Sequence, residues 1–365
     1  MSINIEILLT AIMVSSACAL LGVFLVLKSM AMVSDAITHT ILLGIVIGFF
    51  IVHDLNSPFL ILGASIIGVL TVYLIDMLIL TKLVKEDSAI GIIFPFLFSI
   101  AVILISKFLG NVHLDIDAVL LGELAFIPFD RITLFGNSIP KGLLSTFIIL
   151  LINLSFVTIF FKELKLTTFD KALAATLGFF PIVLNYIFIT LVSVTVLGSF
   201  EAVGSILVVA FMIGPAITAY LLTDRLHLMI LLSIFIGIIS SVLGFYISIY
   251  LDISIAGTIA VTIGFIFLII LFFSPKKGIL VNIGRKKKRV SKFAVISILL
   301  YVYNNGNINE EKECNINTIE GKLGWKKGFF GYIIDIIINN QYVYIENNTL
   351  KITKRGVEYL ELLDA

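Results

Sequence analysis

Apolar residues dominate the first three quarters of this chain in runs of about twenty, separated by short polar or charged stretches. A helix rises 1.5 Å per residue, so each run is long enough to cross a hydrocarbon core of about 30 Å. The pattern predicts nine spans, near residues 7–27, 30–52, 59–80, 89–109, 142–162, 179–198, 203–222, 226–250 and 252–273.

After Pro275 the pattern changes. SKFAVISILLYVYN, NTIEGKLG and GFFGYIIDIIINN carry helical spacing; QYVYIE and TLKITK alternate like the arms of a hairpin across an Asn-Asn turn; RGVEYLELL is helical again. The chain therefore divides into a transmembrane domain (1–277), a basic juxtamembrane linker (278–290) and a small α+β domain (291–365). The order helix–helix–helix–hairpin–helix resembles a winged helix, and LKITKRGVEYLELL is similar to the wing and following helix of many metal-dependent repressors.

Composition agrees with a polytopic all-α membrane protein. Of 365 residues, 59% are hydrophobic and only 13% charged, whereas about a quarter of a soluble chain is charged. The first run is no secretory signal: no Lys or Arg precedes it and its apolar stretch continues to Leu27, although SSAC at 15–18 faintly resembles a lipoprotein cleavage site. Cys18 and Cys314 fall in different regions, which predicts neither a disulfide framework nor a thiolate metal site.

Loop charges set the expected orientation. With the N-terminus outside, the inner loops hold Lys28, Lys82, Lys85, Lys162, Lys165, Lys171, Arg225, Lys276 and Lys277. The outer connections near 53–58, 199–202 and 251–254 hold no Lys or Arg; only the long outer segment 110–141 does, at Arg131 and Lys141. An odd number of spans places the C-terminus in the cytoplasm. The RKKKR run at 285–289 agrees with this, as a topology anchor against anionic lipid. In the tail, residues 290–365 hold eight Lys or Arg against nine Asp or Glu, a net charge of −1. The third tail helix has Lys326 and Lys327 at its start and mostly apolar residues after them, so nucleic acid is not the expected partner. A regulatory or docking role is.

The chain has no GxxxxGK[ST] phosphate loop, no HExxH and no GxSxG, which argues against catalysis. One apolar run nevertheless reads SDAITHTILLG. Asp35 and His39, four residues apart, share a helix face. Ionisable residues inside a span are costly and usually line a pathway or pair with something. A carboxylate and an imidazole suit a divalent first-row metal, and a structural pair bonding adjacent helices is the alternative. Glu201, between Gly198 and Gly204, marks an outer turn or lines an outer vestibule. Pro215 predicts a helix kink. The inner loop LKLTTFDKALAATLGFFP predicts a short helix capped by Thr168 and ended by Gly178, either lying in the interface or docking a partner.

These stretches carry a resemblance. SDAITHTILLG looks like the GDA-[IL]-SHA-x-LPG stretch of the permease subunits of metal-ion ABC transporters, with Ser34 in place of Gly and Leu43 in place of Pro. FDKALAATLG is similar to that family's coupling segment, and AVGSILVVAFMIGPAITAYLLTDRL to the motif of its manganese, zinc and iron branch. The resemblance runs from residue 7 to about 273. It implies a helical permease in a bacterial plasma membrane, paired with a second permease copy or paralogue. Its partners would be a pair of cytoplasmic ATPase subunits that use the ATP and an extracellular metal-binding lipoprotein. No permanently bound cofactor is implied, only a transported manganese, zinc or iron ion. Asp35 and His39 match the metal-contacting positions, and Phe169, Asp170, Ala174 and Gly178 the ATPase-coupling segment.

Overall fold

A computed structural model of the chain describes residues 3–53, 57, 59–108, 124–134, 137–306, 314–346 and 348–364. The first four spans are α1 (Ile3–Leu27), α2 (Ala31–Val52), α3 (Phe59–Leu80) and α4 (Glu86–Phe108). A 3-10 helix (Leu124–Phe129) and the hairpin β1 (Arg131–Leu134) and β2 (Asn137–Pro140) lead into α5 (Lys141–Ile159). The short helices α6 (Phe161–Phe169) and α7 (Lys171–Thr176) precede α8 (Pro181–Val203), α9 (Ser205–Leu222), α10 (Leu226–Leu251) and α11 (Ile255–Phe273). Among the described residues nine helices are long and apolar enough to cross a membrane, the number read from the hydrophobic runs.

The largest difference in a boundary is at the end of α8. The sequence pattern put an outer connection at 199–202, because Glu201 interrupts an apolar run. The chain instead stays helical through Val203 and breaks at Gly204, whose φ is 80°. A charge does not end a helix; a left-handed backbone position does, and glycine takes it without a Cβ clash. Part of the expected outer segment, residues 110–123 and 135–136, lies outside the described residues. The rest of it is the 3-10 helix and the hairpin, paired in register from Arg131 with Pro140 to Leu134 with Asn137.

Helix α1 is the centre of the bundle, buried along most of its length and packed against α5, α9 and α10. Helix α2 packs on α3, α4 and α8. Large apolar side chains such as Ile66, Val261 and Phe265 stay exposed, as expected where a helix is apolar all round and lipid is its solvent. Helices that touch lipid gain little from burying leucines against each other, so close backbone approach carries the contact. At the α2–α3 crossing a Cβ on Gly44 would overlap the Gly63 carbonyl oxygen, and a Cβ on Gly63 would meet the Gly44 oxygen at 2.6 Å. Nearby the Thr71 hydroxyl is 2.9 Å from that of Thr40, joining α3 to α2.

The chain forms two compact units, Met1–Gly278 and Ile279–Ala365. The second contains α12 (Ile279–Gly306), α13 (Ile316–Leu323), α14 (Lys327–Asn339), β3 (Val343–Glu346), β4 (Thr349–Ile352) and α15 (Lys354–Asp364). Its core gathers Ile298, Leu299, Val302, Ile319, Ile333 and Ile337 with Val343 and Leu350 of the hairpin. Asn315 caps α13 by accepting from the Asn317 N–H, and Gly324 ends it with φ 60°. Of the stretch 278–290, read from its charge as a linker, residues 279–290 form the first turns of α12. Lys and Arg are good helix formers, and a run of them need not be extended.

Candidate metal pathway and docking face

Helix α2 begins just after a tight turn: Ser29 has φ 61°, and the Met30 N–H donates to the Leu25 oxygen at 2.9 Å. Asp35 and His39 then follow on the first turns, about 7 and 13 Å along the axis from Met30. Their neighbours Val33, Ser34, Ala36, Ile37 and Thr38 are buried. The pair itself stays open, the Asp35 side chain 42% exposed and that of His39 28%. His39 Nε2 lies 3.7 Å from Asp35 Oδ1, an electrostatic contact longer than a hydrogen bond. The imidazole leans on two rings of α4, Phe94 at 5.1 Å and Phe98 at 6.0 Å between centroids. Rings on one side and a carboxylate below hold His39 in place, with the contact between the two polar groups made within α2.

No cluster of three or more His, Cys, Asp or Glu side chains able to hold a metal forms among the described residues. Among the described residues this stretch therefore brings together one carboxylate and one imidazole, Asp35 and His39. Glu201 falls on the last turn of α8, about 24 Å along that helix from Asn185. Helix α9 runs through the buried Pro215, whose ring faces Gly237 on α10.

The loop after α5 holds a second surface. Thr168, expected as a cap, instead donates its hydroxyl to the Leu164 oxygen within α6. Asp170 caps α7, accepting from the Leu173 N–H at 2.9 Å, and Gly178 with φ 84° closes it. A carboxylate at that position suits a cap because it also meets the positive end of the helix. Ala174 points inward and is fully buried. Phe169, Leu173 and Leu177 are exposed by 63%, 46% and 58%, and Phe180 beyond them by 76%. Leu173 and Leu177 had no part in the sequence reading, yet their spacing of four along and just past α7 was the available signal.

Two ties hold this end of the bundle. The Lys28 ammonium donates to Asn185 Oδ1 at 2.9 Å and lies 4.6 Å from the centre of the Phe188 ring. Asp224, after α9, receives Lys277 at 2.9 Å and Lys276 at 3.2 Å, which holds its carboxyl below the usual range.

Residues 2–274 match the ABC 3 transport family. The chain belongs to that family. It is 44% identical over 276 residues to the zinc transport system membrane protein TroD of Treponema pallidum, covering 76% of this chain and 75% of TroD. It is 41% identical over 281 residues to the manganese transport system membrane protein MntD of Bacillus subtilis, covering 77% of this chain and 95% of MntD. Among solved structures, PsaBC from Streptococcus pneumoniae in complex with Fab aligns at TM-score 0.63 and 29% identity, over 76% of this chain and 94% of that one. An inward-facing putative metal-chelate type ABC transporter shares the fold at TM-score 0.54 and 19% identity, over 73% of this chain and 85% of its own. The family reading made from the motifs thus holds: this chain is a permease of a metal-ion ABC transporter, a non-enzymatic, multi-pass component of a bacterial plasma membrane. The family match ends at residue 274, within the first compact unit and shortly before the second begins at Ile279.

Proposed function

We propose that this permease carries a divalent first-row cation, manganese first and zinc or iron next, past Asp35 and His39 into the cytoplasm. The observation that carries the reading is the open carboxylate–imidazole pair in an otherwise buried stretch of α2. A pair kept only to join helices would bond across to a neighbour, whereas this contact lies within one helix. The anionic oxygen suits a hard ion and the imidazole a first-row metal. In a dimer with a second copy or paralogue the set doubles to two carboxylates and two imidazoles. The relatives named for zinc and manganese support a metal of this class without choosing among its members.

In this reading the N-terminus is outside and the lysine-rich end faces the cytoplasm, where a separate ATPase pair docks on the apolar strip of Phe169, Leu173 and Leu177. An extracellular metal-binding lipoprotein delivers the ion, and Glu201 belongs to the outer half of the path. The second unit is a fused winged-helix-like domain with a docking or regulatory role. Past its first residue, the outward side of α14 presents Gly328, Gly331, Tyr332 and Asp335, none of them a cation that would grip a phosphate backbone.

The test is Asp35→Asn and His39→Ala in purified, reconstituted complex, with uptake and thermal stability measured on the same sample. Uptake of manganese, zinc and iron should fall at least tenfold while the melting temperature stays within a few degrees. Normal uptake by either variant, or a loss of stability with uptake per folded molecule unchanged, would return the pair to a packing role.

A further inference from the structure

The coupling loop and the Asp35–His39 pair lie on different helices, and one half-buried cation, Lys28, stands between them. Lys28 sits in the turn that ends α1 and starts α2. That turn is tight: the Lys28 N–H donates to the Phe24 oxygen at 2.9 Å, the Ser29 N–H to Val26 at 3.1 Å and the Met30 N–H to Leu25 at 2.9 Å. Its side chain reaches α8, donating to Asn185 and lying over Phe188, and Phe188 packs edge-on against Phe24 at 6.2 Å. Four residues separate α7 from α8, so what moves α7 reaches Asn185 through a short stretch of chain. Lys171, the first residue of α7, is near enough to Lys28, to Asp76 at the end of α3 and to Glu86 at the start of α4 for their charges to interact.

The lysine is an expensive choice there. Its partners are an amide and a ring rather than a carboxylate. Burial, then the charge of Lys171, lowers its pKa to about 8 from the usual 10.5. A methionine would fill similar space without losing the hydration of a charge. A position that gives up stability to keep a cation is where a role beyond packing is expected.

We propose that Lys28 is a positioning residue for transport: through Asn185 and Phe188 it ties the start of α8, and so α7, to the turn that launches Asp35 and His39. The proposal rests on the metal-pathway reading for its endpoint alone. In a rigid turn of three bonded residues, a shift of α8 at Asn185 carries α2 with it rather than being absorbed.

The experiment reconstitutes the permease with its ATPase and binding protein in proteoliposomes and measures Mn²⁺ or Zn²⁺ uptake per ATP hydrolysed, whichever ion the unaltered chain carries. Lys28→Met should assemble with an equal or higher melting temperature, keep its basal ATPase rate, and lose at least fivefold in uptake per ATP. Asn185→Leu should give the same loss of coupling, and Lys28→Arg, which keeps the cation, should recover most of it. Uptake per ATP within twofold of the unaltered chain in Lys28→Met removes the linkage. So does a lower melting temperature with coupling unchanged per folded complex, the mark of a packing role. If Lys28→Met fails to assemble, Asn185→Leu decides: normal coupling in it overturns the proposal. Normal uptake by Asp35→Asn in the same vesicles removes the endpoint instead, so the two failures are told apart.

Discussion

Arg131 grips the Glu6 carboxylate with both terminal nitrogens, at 3.1 and 3.2 Å, and so ties the hairpin before α5 to the first turn of α1. The Glu6 side chain is only 4% exposed. The same guanidinium donates from Nε to the Ser138 hydroxyl at 2.7 Å and from Nη2 to the Ser138 backbone oxygen at 2.9 Å, which leaves it little freedom. Breaking a buried pair from one side leaves the other charge stranded, at a cost of about 3 kcal/mol. Arg131→Ala should therefore lower the unfolding free energy of the detergent-solubilised protein by about that amount. A change below about 0.5 kcal/mol would mean the pair behaves like an exposed one.

The strip of Phe169, Leu173 and Leu177 and the buried Ala174 make opposite predictions for neighbouring positions. Leu173→Glu with Leu177→Glu should leave the permease folded and abolish ATPase pull-down, because the change falls on an exposed face. Ala174→Phe should instead cost about 1–3 kcal/mol by overpacking a site without room. Thermal unfolding and pull-down on both variants check this. Intact binding by the double glutamate variant would place the docking face elsewhere.

Gly44→Leu should prevent α2 and α3 from meeting. The added side chain would occupy the position of Gly63 and Ala64 backbone atoms, which cannot rotate away. The expected result is protein that inserts but runs as an aggregate in size-exclusion chromatography, whereas Gly91→Leu, where a Cβ meets open space, should behave normally. Equal behaviour of the two would argue against that crossing.

Ending the chain after Gly278 should leave the first unit intact. Each span satisfies its own backbone hydrogen bonds, and the core of the second unit is drawn from its own residues. Equal melting temperatures for the truncated and full chains are the expected outcome. A shift of more than about 5 °C would show that the units support one another.

Much of this protein follows from local pattern. The nine spans, the pair on α2, the short helix after α5 and the change of character after Pro275 are legible because membrane solvent imposes a run length and helix period imposes a face. Those constraints act within one segment, so one segment's residues suffice to read them. The end of α8 escaped such a reading: Glu201 looked like a turn, but the backbone angle at Gly204 sets the break. Likewise Thr168 and Asp170 are both able to cap a helix, and only the folded loop settles that Asp170 does so. What depends on two distant segments was closed to the sequence altogether. The partner of Arg131 lies 125 positions away at Glu6, and that of Lys28 lies 157 away at Asn185. An apolar helix packs with almost any other in lipid, and the choice among them is made by where glycines let backbones approach and where polar groups find each other. That choice belongs to the whole bundle.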